Sequence, residues 1–442
     1  MTRANEPTSP RRPTSLGVIF LTLYIDLVGF SIIFPIVPDL LGYYLSVDGQ
    51  SGLLGAILDG TSSVAAAFGK DNAFAAVLFG GVLTSFYAIL QFVFAPIWGA
   101  LSDRHGRRSI LRITIGGTAL GYAIWLVSGS FWLFLLSRIV SGAFSGNLSV
   151  ATAAVADATS RQERTRAMGL VGAAFGLGLV TGPAIGGIAS GINLLDYRPG
   201  LESFGINPFS LPALASLVLC LGNLVWVNAR FSETLHRDPA DPLPERRIRN
   251  PIAAILMLEN PAVRQANLVA FIFAVAFVAM ESSLTFLAVE RFSYSARENT
   301  WLLVYLGVCS IVTQGYIVRK LLHRVEELRV LASGLAFAAI GMAGIGFATR
   351  PWALYVCLGL LAIGAGLVNP STSGLISLYS DAAEQGRALG VFRSLGSLAR
   401  AVTPLFAGVV FWIFSSRILY VIGAFLALGA LGVSRSLPRP VK

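Results

Sequence analysis

The chain has 442 residues, 55% of them hydrophobic and only 13% charged, with a mean hydropathy of +0.71. A soluble domain carries about 25% charged residues, so this composition excludes an ordinary water-soluble protein and predicts an all-α membrane protein. The net charge of +10 is therefore a question of where basic residues lie in a membrane topology. It does not point to a nucleic-acid partner.

Runs long enough to cross a bilayer fall at about 16–41, 74–98, 109–128, 131–156, 167–190, 208–229, 264–289, 299–318, 329–348, 352–378, 388–414 and 417–436. The first follows a polar stretch with Arg3, Arg11 and Arg12 and is too long for a signal-peptide core, so it is expected to remain as a helix. The loop at 42–73 contains LLGAILDGTSSVAAAF, which reads as a short helix on the membrane surface. A second long loop covers 191–207. The span Phe231 to Asn260 is rich in proline and charge and cannot cross a membrane. It divides the chain into an N-terminal six-helix bundle (1–230), a cytoplasmic linker (231–263) and a C-terminal six-helix bundle (264–442).

An even number of spans puts both termini on one side. Of the 33 Lys and Arg residues, 24 fall in the segments on the terminal side, six in the opposite loops and three within helices. Basic residues concentrate in cytoplasmic loops, so both termini are expected inside. Trp132, Trp301 and Trp352 then begin helices at the outer face, while Trp98 and Trp226 end helices at the inner face, as interfacial belts do. The halves repeat: Glu163 to Gly169 matches Glu384 to Gly390, and the same offset carries Pro183 onto Pro404.

Cys220, Cys309 and Cys357 lie in apolar runs, and His105, His236 and His323 are scattered in loops, so neither a disulfide framework nor a metal site is expected. No G-x-x-x-x-G-K-[ST] phosphate loop is present, which argues against a nucleotide-driven pump. No cofactor is expected beyond a proton as coupling ion. The expected partners are the bilayer and a small organic substrate, with the chain working as a monomer.

Charges inside the membrane carry the chemistry, because an ionised group at the centre of a span costs at least about 2.5–3.5 kcal/mol unless it is paired or faces water. Asp26 lies about 15 Å from the inner end of the first helix, by helical rise. Arg138 lies about 10 Å from the outer end of the fourth, within about 5 Å of the same level, so the two are expected to meet directly or through water. They are the candidate proton-coupling pair. In the second half, Glu281 in helix 7 and Arg400 in helix 11 are candidate substrate contacts, with Asn147 and Asn369 as weaker members of the cavity wall. Gln91 and Gln314 are read as hydrogen bonds between helices.

The loop GALSDRHGRRSILR (Gly99 to Arg112) holds Gly99, Asp103, Arg104, Gly106, Arg107 and Arg108 between two membrane-length runs. It resembles the signature between the second and third helices of the major facilitator superfamily. R-x-x-x-G at Arg138 and Gly142 resembles the superfamily's helix-4 motif. The run with Gly178, Gly182, Pro183, Gly186 and Gly187 resembles its antiporter motif. The pattern D-x-x-G-x(5)-P-x-x-P from Asp26 to Pro38 is similar to the first helix of tetracycline/proton antiporters and related drug exporters. The resemblance implies twelve helices in two pseudo-symmetric bundles and alternating access, with proton-coupled efflux of small organic molecules or drugs; the compactness of the chain points to a bacterial inner membrane rather than a eukaryotic one. A uniporter or uptake symporter of the same fold, or a non-transporting receptor, are the alternatives.

The resemblance also implies an inner gate in which Asp157 pairs with Arg107 and Asp103 caps helix 11, contacts expected to break when the inner side opens. The second-half loop departs from the signature, with Arg319 in place of Asp103 and Leu322 in place of Gly106. The acids of tetracycline exporters in helices 3 and 9 are missing here. ESSLTFLAVERFSYS and GRALGVFRSLGSLARAVTPL are closer to the tetracycline-transporter-like proteins of animals, which are linked to organic-anion efflux.

Overall fold

A computed structural model describes residues 16–48, 54–55, 75–159, 164–235, 256, 258–322, 325–380 and 385–439. Twelve of its helices are long and apolar enough to cross a membrane. We number these spans α1 (Leu16–Val47), α2 (Ala75–His105), α3 (Arg107–Leu126), α4 (Phe131–Asp157), α5 (Arg164–Ser190), α6 (Ser210–Arg230), α7 (Pro261–Phe292), α8 (Ala296–Ile317), α9 (Glu327–Phe347), α10 (Pro351–Tyr379), α11 (Gln385–Ile413) and α12 (Ser416–Ser434). At 1.5 Å per residue even the 19 residues of α12 approach 30 Å, the thickness of the hydrocarbon core. Inner and outer refer below to the ends assigned by the count of basic residues. The surface helix expected after α1 lies outside the described residues except for Leu54 and Gly55, and so does most of the linker.

Two apolar cores organise the chain. The first gathers Ile19, Ile115, Trp125, Val150 and Val227 from α1, α3, α4 and α6. The second gathers Phe273, Leu335, Leu361 and Phe411 from α7, α9, α10 and α11. Between the halves, α2 packs on α11 and α5 on α8, in the same pseudo-symmetric arrangement.

Three spans are not continuous. α1 breaks after Ser31, where Pro35 enters a 3-10 turn over Phe34–Ile36. Proline has no N–H to donate, so a regular helix cannot run through it. α4 stops at Ala143 and restarts at Asn147. α8 ends in a π-helical segment, Thr313–Ile317.

The glycines of α5 serve close packing. Gly178, Gly182 and Gly186 recur every fourth residue, so they share one face. Against it lie Leu27, Ser31 and Ile32 of α1. The Ser31 hydroxyl donates to the Gly178 carbonyl at 2.9 Å. Gly187 is pressed against Thr300 of α8, and Gly307 of α8 meets Val180 of α5. A further tie crosses the halves: Asp39 Oδ2 accepts from the Ala296 N–H at 3.0 Å, at the start of α8. Phe34 and Val37 of α1 also pack on the second core.

The cross-half contacts at Asp39, Gly187 and Gly307 lie from mid-membrane to the outer end. On α11, Arg393, Arg400, Pro404, Ala407 and Phe411 follow one helical face. That face is exposed at Arg393 and Arg400 and buried at Pro404, Ala407 and Phe411.

A Cβ on Gly186 would overlap the backbone carbonyl of Ile32, whereas one on Gly176 meets nothing within 4 Å. Gly186→Ala is expected to destabilise the protein by about 1–3 kcal/mol, the usual range for overpacking. Gly176→Ala is expected to be neutral. Thermal unfolding of the detergent-solubilised protein checks this, and equal midpoints would refute the packing account.

Candidate functional site

At the inner end of the first half, the α2–α3 turn is built around a guanidinium. Arg107 Nε donates to Asp157 Oδ2 at 2.8 Å, and its Nη1 reaches Asp103 Oδ1 at 2.5 Å and Ser102 Oγ at 2.6 Å. The Arg107 side chain is 6% exposed and that of Asp157 25%. Gly106 turns the chain with φ 90°, a conformation that L side chains rarely adopt. Glu233, just beyond α6, fills the space a side chain at Gly106 would take. Its carboxylate accepts from the Arg107 N–H at 2.8 Å and the Arg108 N–H at 3.1 Å. It therefore neutralises the positive end of α3. Arg108 Nη2 donates to the Asn228 carbonyl, while Arg104 stays exposed.

This arrangement differs from the expected gate in one respect. Among the described residues Asp103 does not cap α11, because its carboxylate is turned back onto Arg107. The expected Arg107–Asp157 pair is made. Both partners belong to the first half, so parting the halves does not pull on it.

At mid-membrane, Asp26 is half-buried on the inner segment of α1, and its Oδ1 accepts from Asn147 Nδ2 at 2.6 Å. Asn147 is the first residue of the inner half of α4, so the carboxylate faces a helix N-terminus, where an anion is favoured. Among the described residues Asp26 and Arg138 make no direct contact. Arg138 is 8% exposed, and its guanidinium lies 4.8 Å from the Trp125 ring centroid and 5.3 Å from that of Phe134. Such cation–π contacts partly replace lost hydration. Its Nη2 finds no hydrogen-bond partner among the described residues. Tyr87 and Tyr122 each lie within electrostatic reach of both charges.

In the second half, Glu281 and Arg400 interact electrostatically across α7 and α11, which pack together. Arg400 and Asn369 are exposed within membrane-length helices, and Glu281 is half-buried. Arg393, two turns inward of Arg400 on the same face, is exposed as well. Charged and polar side chains inside spans are costly in hydrocarbon and mark candidate functional positions. Gln91 and Gln314 make no side-chain hydrogen bond among the described residues, so they do not tie helices as expected. Among the described residues no group of three metal-ligating side chains converges.

The sequence reading missed Tyr87, Trp98, Glu233, Asp39 and Arg393. Trp98 was read as an interfacial belt residue. Instead its Nε1 donates to the Ala143 carbonyl at 2.7 Å and its ring stacks on Phe144, inside the first half. A polar side chain just after α6 and an acid beside Pro38 were the available signals for Glu233 and Asp39.

Twelve membrane-length helices in two packed sets, with charged side chains inside the spans, suit an integral membrane transporter of small solutes. A sequence profile of the Major Facilitator Superfamily matches residues 19–358 and 317–442. The chain belongs to that superfamily, whose members work by alternating access. It is 30% identical over 447 residues to the Major facilitator superfamily domain-containing protein 10 of Bos taurus, covering 97% of this chain and 93% of that protein. It is 28% identical over 425 residues to the class C tetracycline resistance protein of Escherichia coli, covering 95% and 96%. The crystal structure of the human organic anion transporter MFSD10 (TETRAN) matches with a TM-score of 0.73 and 28% identity, over 97% of this chain and 100% of that one.

Glu233→Ala removes the acceptor for the first N–H groups of α3. It is expected to destabilise the protein by about 0.5–2 kcal/mol, as loss of an N-terminal cap does. Glu202→Ala, in the exposed outer loop, is expected to stay within about 0.5 kcal/mol. Thermal melts of the two variants in detergent give the comparison.

Proposed function

We propose that the chain is a proton-coupled exporter of small organic anions, with Asp26 as the proton site. The supporting observation is the hydrogen bond from Asn147 to Asp26 at 2.6 Å. The carboxylate is held by a neutral amide instead of a cation. It can therefore gain and lose a proton without stranding a buried positive charge. Asp26 takes a proton from outside, substrate leaves, and the proton is released inside as the halves rock about their contacts. Each charge moved down 100 mV of membrane potential supplies about 2.3 kcal/mol.

The anionic substrate class rests on Arg400 and Arg393. Both are exposed on one face of α11, within the membrane span. A relative named as an organic anion transporter supports the same reading. Glu281 beside Arg400 limits the field in the absence of substrate. Asn147 and Asn369 complete the cavity as neutral hydrogen-bond partners, and the bilayer is read as a bacterial inner membrane with both termini cytoplasmic.

Proteoliposomes test both parts. With a proton gradient imposed, Asp26→Asn is expected to abolish uphill transport while sparing passive exchange. A variant that still concentrates substrate against its gradient shows that Asp26 is not the coupling site. Protons moving in the same direction as substrate in the wild type identify a symporter instead. Arg400→Gln is expected to raise KM for anionic substrates at least tenfold, the loss of about 1.4 kcal/mol of binding, and to leave cationic ones unchanged. An equal effect on both classes removes Arg400 as the anion contact.

A further inference from the structure

The break in α4 is filled by a side chain from another helix. In a continuous helix the Ala143 carbonyl would accept from the N–H of Asn147. Here it accepts from Trp98 Nε1 at 2.7 Å. The Trp98 ring stacks on Phe144 with centroids 5.4 Å apart and planes at 26°. Gly146 leaves room for it, since a Cβ there would overlap the Trp98 side chain. The Gly142 carbonyl is taken by the Ser145 hydroxyl at 2.7 Å. The interruption therefore keeps these carbonyls satisfied within the apolar layer.

Below the break runs a separate helix, Asn147–Asp157, of 11 residues and about 16 Å. Its first residue holds Asp26 and its last holds Arg107. Trp98 itself directly precedes Gly99, and the absent side chain of Gly99 lets Ser149 of this half-helix approach. One short rigid helix thus connects the membrane-centre acid to the inner ion pair, and Trp98 sits at the point where it is hinged.

We propose that Trp98 is a positioning residue for Asp26: by filling the break in α4 it sets the half-helix Asn147–Asp157, so that Asn147 meets the Asp26 carboxylate and Asp157 meets Arg107 together. The inference rests on the reading of Asp26 as the proton site, but its test does not. The groups facing Asp26 are Asn147 from α4, Tyr87 from α2, Tyr122 from α3 and Cys220 from α6, with Arg138 within electrostatic reach of the tyrosines. Asn147 is the one that makes a hydrogen bond to it, and such a bond to a carboxylate favours the ionised form.

The readout is labelling of Asp26 by dicyclohexylcarbodiimide, which modifies the protonated acid, followed by mass spectrometry against pH in the full-length protein in liposomes. Asn147→Leu removes the bond directly and is expected to move the labelling midpoint up by about one pH unit, as loss of a charge-assisted hydrogen bond does. Trp98→Phe keeps the ring stack and removes only the N–H. It is expected to move the midpoint in the same direction by about half that shift, and to add nothing in the Asn147→Leu background. If Trp98→Phe leaves the midpoint unchanged, or adds its full shift to that of Asn147→Leu, Trp98 does not act through Asn147 and the proposal is overturned. Asp26→Asn in the transport assay separately decides whether the acid couples protons.

Discussion

Bilayer hydrocarbon offers no hydrogen-bond partner to the backbone, and most of this structure follows from that constraint. It forces the chain into helices long enough to cross. It also means that any break in a helix must be filled from within the protein. α1 uses Ser31, whose hydroxyl bonds within its own helix and to α5. α4 uses Trp98 and Ser145. Both breaks lie close to Asp26, the place where an irregular backbone is worth its cost. Broken helices near the midplane are the usual means by which transporters present helix ends to a charged group.

The same constraint explains the treatment of buried charge. Asp26 has an amide and a helix N-terminus, Arg138 has aromatic faces, and Glu281 and Arg400 have each other. These solutions differ in how readily they change. A carboxylate held by a neutral donor can be protonated in place. An arginine cannot lose its proton, so it acts as a fixed charge. Each half thus holds an acid and an arginine inside its spans, Asp26 and Arg138 in the first and Glu281 and Arg400 in the second.

The inner ion pair belongs to the first half alone. Arg107 and Asp157 are therefore part of one packed body rather than a contact between the halves. One such contact lies at the outer end, where Asp39 caps α8 and the α5 glycines admit α1 and α8. Glu233 ties the start of the inter-half connection to the α2–α3 turn, so that strain in the connection is felt at Arg107.

The sequence by itself determined the membrane class, the number of spans and the loop motifs, because apolar run length and residue type are properties of the chain read one stretch at a time. It also put Asp26 and Arg138 at similar depth, since helical rise is uniform. It did not show that they make no direct contact, because rotation about the helix axis decides which way a side chain faces. That rotation is set by packing, and in α4 by a break that no proline announces. The partner of Asp26, the turn of Asp103 onto Arg107 and the packing of Trp98 into the break of α4 were decided by the tertiary structure alone. Each depends on residues far apart in the chain meeting in space.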